Sequence, residues 1–195
     1  LGNNLMKSNH LSKTTFIPEV CISEDQFIES CDAILFARDD VSKRHALLMR
    51  MLETKKYIFI DKPLATDLVH LNQLYSTASF EDQIFSATCL RYSPEINLPE
   101  PSEIENSNNL FMECNFSGKW LTYAVHVIEP VAKYFIGLKV DKYIKKATNW
   151  GYIHSYKFSN GYFLKINQFT NTNVKISFLL KTEGRNIFCE MQDSF

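Results

Sequence analysis

The sequence predicts an α/β first half joined to an α+β second half: a partial parallel sheet with helices, then a domain with a mainly antiparallel sheet. Two short apolar runs, Ala33-Ile34-Leu35-Phe36-Ala37 and Tyr57-Ile58-Phe59-Ile60, bracket an amphipathic segment, as in a βαβ unit whose strands are covered on both faces. Pro94, Pro99, Pro101 and the polar residues 103–109 then break any regular element. Beyond them, alternation with period two and recurring turn residues replace the helical period.

Each element follows from its local chemistry. Ser23-Glu24-Asp25-Gln26 reads as a capping box opening a short helix that runs to about Ser30. After the first apolar strand, Arg38-Asp39-Asp40 is loop chemistry, and Ser42 can cap a helix carrying Leu47, Leu48, Met51 and Leu52 on one face. The second strand follows. Thr66 or Asp67 can cap the next helix, with Leu68, Leu71, Leu74, Tyr75 and Ala78 inward, before a strand over residues 84–90. Three strands joined by two helices imply a parallel sheet with right-handed crossovers. A boundary after Pro94 divides the chain into domains 1–94 and 95–195. In the second, residues 110–116 read as a strand, and Val125, Ile128, Ala132 and Phe135 give a helix face ending at Gly137. From Gly151 onward an antiparallel meander is expected, with turns at Ser159-Asn160-Gly161, at 170–173 and at Glu183-Gly184, and with Val174, Ile176, Phe178 and Leu180 alternating.

Composition narrows the function. A formal net charge of -1 over 195 residues argues against nucleic acid as a partner, and Lys55-Lys56 and Lys145-Lys146 are too short to make a basic surface. No segment approaches the ~20 apolar residues of a membrane span. Five cysteines without a C-x-x-C pair read as reduced, mostly core thiols of a cytoplasmic protein. The five histidines lack metal-ligand spacing, so no metal site is expected. The start, Leu1-Gly2-Asn3-Asn4, does not read as a signal peptide, and a truncated upstream boundary is expected.

Two residues stand out for chemistry. Lys62, in Asp61-Lys62-Pro63, follows the second apolar strand at the carboxyl edge where open parallel sheets bind ligands. Pro63 biases Lys62 toward an extended backbone, and Asp61 helps keep the ammonium charged; the competing reading is a solvated lysine in a turn. His126 opens the amphipathic helix of the second half, and an imidazole suits removal of a hydroxyl proton as hydride leaves the same carbon. Glu129, one turn along, is placed to orient the ring, and a buried, hydrogen-bonded histidine is the alternative. His45 and Arg91 are weaker candidates, open to reading as boundary residues. Asp39 and Asp40 can face a ribose hydroxyl or serve as turn formers.

Taken in order, these pieces resemble the glucose-fructose oxidoreductase and inositol dehydrogenase family, often written Gfo/Idh/MocA. The resemblance rests on Cys31-Asp32-Ala33-Ile34 with His45, Asp61-Lys62-Pro63-Leu64-Ala65, Arg91-Tyr92-Ser93-Pro94 and His126-Val127-Ile128-Glu129, spread over about residues 18–190. It implies a Rossmann-like first domain, NAD or NADP as cofactor, and a sugar or polyol as substrate. Lys62 and His126 would be the catalytic pair, Asp39, His45, Asp61, Lys62 and Arg91 would face the cofactor, and Lys62, Tyr123, His126 and Glu129 the substrate. A homo-oligomer through the antiparallel sheet is also implied. Asp61 stands where the family has a glutamate. The family's opening strand, G-x-G-x-x-G turn and helix have no counterpart among the six glycines here, and the second sheet ends early, so an incomplete and inactive piece of an enzyme is expected. Two non-catalytic readings stay open, a dimeric scaffold and a sugar-binding module.

Overall fold

A computed structural model describes residues 4–192 except 39, 105 and 106, with the backbone alone at 41–43. The chain divides into two units, Leu1–Ser86 and Ala87–Phe195. The division falls earlier than Pro94 because Ala87, Thr88 and Leu90 are buried and Thr88 bonds to residues of the second unit.

In the first unit both apolar runs form strands, β1 (Ala33–Phe36) and β2 (Tyr57–Ile60), joined by a parallel β3 (Ile84–Phe85) in the order β1-β2-β3. The helices are α1 (Leu5–Thr15), α2 (Glu24–Glu29), α3 (Val41–Glu53) and α4 (Leu68–Thr77). Ser23 caps α2 through the Gln26 amide at 3.1 Å, and the Gln26 side chain reaches back to the Ile22 amide at 2.9 Å. Asp67, not Thr66, caps α4 by accepting from the His70 amide at 2.9 Å. The start of α3 departs from expectation: Asp40 holds the cap position without a side-chain cap bond, and Ser42 lies inside the helix with its side chain outside the described residues.

Ile34, Phe36, Ile58 and Ile60 pack against Leu48, Met51, Leu52 and Leu74. The expectation of strands covered on both faces fails, since Leu35 is 69% and Tyr57 61% exposed. Successive right-handed crossovers in a monotonic strand order place both helices on one side of the sheet. The α4 face is also narrower than expected: Leu74 is its buried residue, while Leu68 and Tyr75 are exposed. The strand expected over 84–90 stops at Phe85 because Thr88 caps a short 3-10 turn, Cys89–Tyr92. Helix α1, capped by Asn4 and with no buried residue, was not anticipated.

The second unit is built on a six-stranded sheet in the order β5-β6-β7-β4-β8-β9. Its strands are β4 (Phe111–Ser117), β5 (Val140–Ala147), β6 (Gly151–Phe158), β7 (Phe163–Phe169), β8 (Ser177–Lys181) and β9 (Asn186–Glu190). All pairs are antiparallel except β4 with β7. Alternate residues of β4, namely Met112, Cys114 and Phe116, enter a core shared with Leu164, Ile166, Phe178 and Leu180. At Gly151 (φ 150) an added Cβ would stand 2.0 Å from the Gln168 carbonyl oxygen, so a side chain there would part β6 from β7.

Two short helices, α5 (Trp120–Tyr123) and α6 (Val125–Ala132), pack on this core. Of the expected face Phe135 is buried but Ile128 is exposed, and the other buried apolar positions here are Ala124, Val127, Val131 and Tyr134. The helix itself is short, so the flanking Ala124, Tyr134 and Phe135 share in the burial. The cysteines are free thiols, and only Cys114 and Cys189 are buried, fewer than expected. Among the described residues, no helix is long and apolar enough to cross a membrane.

Candidate active site

The candidate residues fall into two groups, one in each unit. In the first, β2 ends at Ile60 and the Asp61 amide donates to the Phe36 carbonyl at 3.0 Å, so β1 and β2 deliver Asp61 and Lys62 to their shared carboxyl edge. Lys62 Nζ lies 3.5 Å from the Asp61 carboxylate, and its side chain is 22% exposed. The Lys62-Pro63 peptide bond is cis.

Beneath this turn lies a residue that sequence reasoning missed. Arg44 is 1% exposed, and its guanidinium donates to the carbonyls of Arg38 (3.2 Å), Asp61 (3.1 Å) and Leu64 (3.3 Å). A rigid planar fork suits several convergent acceptors. It ties the chain leaving β1 to both ends of the Asp61–Leu64 turn. The signal was present in the sequence, since Arg44 shares a helical stripe with Leu48, Met51 and Leu52, where a charge demands buried partners.

His45 lies one residue on, yet its ring belongs to the contact between α3 and α4. Nε2 is 2.9 Å from Gln73 Oε1, and the ring centroid is 4.3 Å from that of His70. His70 in turn is 2.5 Å from the Asp67 carboxylate. The His70 amide, which Asp67 accepts, holds the Asp67 carboxyl below the usual carboxylate range. Asp39 lies outside the described residues, and Asp40 sits 3.8 Å from Arg38.

The second group gathers around His126, which is 4% exposed on α6. Its Nδ1 is 2.5 Å from the Thr88 hydroxyl. Glu129 meets that threonine: its carboxylate accepts from the Thr88 amide at 2.7 Å and from Arg91 at 3.4 Å. His126 and Glu129 of α6 therefore both meet Thr88, a residue distant in sequence, and Arg91 joins the group through Glu129; Thr88 was missed because it lies within an apolar run. The Tyr123 ring centroid is 6.0 Å from that of His126.

A further buried histidine, His154 on β6, stacks on Trp120 at 3.8 Å and bonds Tyr143 (2.9 Å) and Gln168 (3.4 Å). Burial holds its pKa below the usual imidazole range. Both ring nitrogens are engaged by neighbouring side chains, so it serves the packing of the sheet.

A three-stranded parallel sheet followed by a six-stranded, mainly antiparallel one is a fold that this chain shares with solved structures. No family model matches the chain, and no curated protein matches it. Solved structures do. A probable dehydrogenase from Thermotoga maritima aligns with a TM-score of 0.74 at 13% identity, covering 96% of this chain and 66% of that one. KijD10, a 3-ketoreductase from Actinomadura kijaniata in complex with NADP, gives 0.77 at 12%, covering 97% and 65%. The WlbA dehydrogenase from Bordetella pertussis, in complex with NADH and UDP-GlcNAcA, gives 0.71 at 11%, covering 99% and 74%. At these identities the likeness is one of fold, and the chain spans about two thirds of the length of the first of them.

Proposed function

We propose that this chain is part of an NAD(P)-dependent oxidoreductase of the Gfo/Idh/MocA type, acting at a hydroxyl or carbonyl carbon of a sugar or polyol. The observation that carries the reading is the Asp61-Lys62 turn at the carboxyl ends of β1 and β2, braced from below by a buried arginine. Fold neighbours crystallised with NADH or NADP support it.

The side chains present fit one part of such a cofactor. Lys62 and Asp61 offer a cation and a carboxylate to ribose hydroxyls and to the reacting oxygen. A pyrophosphate needs backbone amides at a glycine-rich helix start, and the six glycines of this sequence form no such turn. When bound, the nicotinamide supplies or accepts the hydride. Lys62 then orients the oxygen of the reacting carbon and steadies negative charge on it.

The test is fluorescence titration of NADH against the protein expressed from its native reading frame, followed by turnover with sugars and polyols. Saturable binding is expected, with Lys62→Met lowering kcat/KM by about 100-fold or more, the scale of losing one oxyanion-stabilising donor. Absence of NADH and NADPH binding would sink the reading.

A further inference from the structure

His154 does more than pack the second sheet. Tyr143 of the edge strand β5 pairs with Tyr156, and Gln168 of β7 with Tyr152, the residues two places either side of His154 on β6. Residues two apart on a strand share a face, so the three side chains meet there. The Tyr143 hydroxyl is 2.9 Å from His154 Nδ1, and Gln168 Oε1 is 3.4 Å from Nε2.

The directions of these bonds are fixed from the Gln168 end. Its Nε2 donates to the Gly118 carbonyl at 2.9 Å, so its Oε1 faces the ring as an acceptor. Burial, with the Lys145 charge adding to it, holds the His154 pKa below the usual imidazole range, so the ring is uncharged at neutral pH. A neutral imidazole has one N–H, which Gln168 places on Nε2, and Nδ1 is left as the acceptor. Tyr143 therefore donates its hydroxyl hydrogen to Nδ1.

A hydroxyl bonded to a base, with the base oriented by a third group, is the arrangement that activates a nucleophile. The ring is steadied by its stack on Trp120 at 3.8 Å. Tyr143 itself is open to reagents, at 49% exposed. Its neighbour Tyr156, stacked 4.8 Å away, stays a phenol, because burial and then Tyr143 push it up to about 12.

We propose that Tyr143 is a covalent modification site, an activated phenol that takes an acyl group from an activated carboxylic donor, with His154 as its base and Gln168 as the positioning residue behind that base. The Tyr143 oxygen attacks the acyl carbon while its hydrogen passes to His154 Nδ1. The bond from the acyl carbon to the leaving group breaks, and the leaving group takes that proton from His154. The products are a tyrosyl ester and the protonated leaving group, with no change in oxidation state. Neither Lys62 nor a cofactor takes part, so the site stands apart from the oxidoreductase reading.

N-acetylimidazole is the probe, with acetylation of each tyrosine of the intact chain followed by peptide mass spectrometry. Tyr57, Tyr75 and Tyr92 are more exposed than Tyr143, and among the described residues none of their hydroxyls bonds to an imidazole. Exposure alone would make those three react first. The expected result reverses that order, with Tyr143 acetylated about tenfold faster, a modest share of what a positioned base supplies. His154→Phe, which keeps an aromatic ring against Trp120, should remove the advantage. Gln168→Met should remove it too, and Gln168→Glu, which still accepts from Nε2, should restore it; a loss in both would strike Gln168 from its role. Tyr143 reacting no faster than the three more exposed tyrosines overturns the proposal, as does an unchanged rate in a folded His154→Phe. Should the variants not fold, the order of reaction in the unmodified chain decides alone.

Discussion

The two sheets are held by different means. Among the described residues of the second unit, seventeen buried apolar ones form one cluster under the β4–β9 sheet, about half of them placed by strand alternation. The first unit has eight, on one side of three short strands, and its loops are tied instead by buried polar side chains. Arg44 gathers three carbonyls at the carboxyl ends of the strands. Gln83, 1% exposed, does comparable work at the other end, donating to Leu52 and Lys56 and accepting from the Ser79 amide at 2.7 Å. The difference teaches that a small core leaves the geometry of its loops to hydrogen bonds, and the loop so governed here is the one that carries Lys62.

Three substitutions test this contrast. The largest effect belongs to Phe116→Ala, which opens a cavity at a fully buried position of the second unit and should cost about 3–5 kcal/mol in chemical denaturation. A cost below about 1 kcal/mol would mean that the larger cluster is loosely packed. Next comes Arg44→Met, which keeps much of the apolar stem but strands its carbonyl partners and should cost about 2–3 kcal/mol. Its signature is local: amide exchange should accelerate across residues 61–66, and unchanged protection there would refute the bracing role. The smallest effect is expected for Leu35→Ala on the bare sheet face, within about 0.5 kcal/mol of the parent. A loss comparable to that of Phe116→Ala would show that this face is covered in solution.

Much of the molecule was legible from sequence because its signals are local. The apolar runs at Ala33 and Tyr57, the Ser23 cap, the Asp67 cap and the alternation of Phe178 and Leu180 each depend on neighbours a few residues away. The order of elements alone also placed Lys62 at a carboxyl strand edge. Less legible were positions where a local pattern is ambiguous. The α6 segment is short and shares its burial with flanking residues, so of its expected face Phe135 is buried while Ile128 is exposed, and Thr88 inside an apolar run read as strand although it caps a 3-10 turn instead.

The sequence by itself determined which segments become strands and helices, the change from parallel to antiparallel pairing, and the residue types offered at each strand edge. Only the tertiary structure decided that one face of the first sheet stays bare, that Arg44 turns inward beneath the Lys62 turn, and that Glu129 reaches His126 through Thr88. The physical reason is range. Periodicity and capping are settled within a turn or two of chain, whereas the partner of a buried polar group lies wherever folding brings an unmet donor or acceptor.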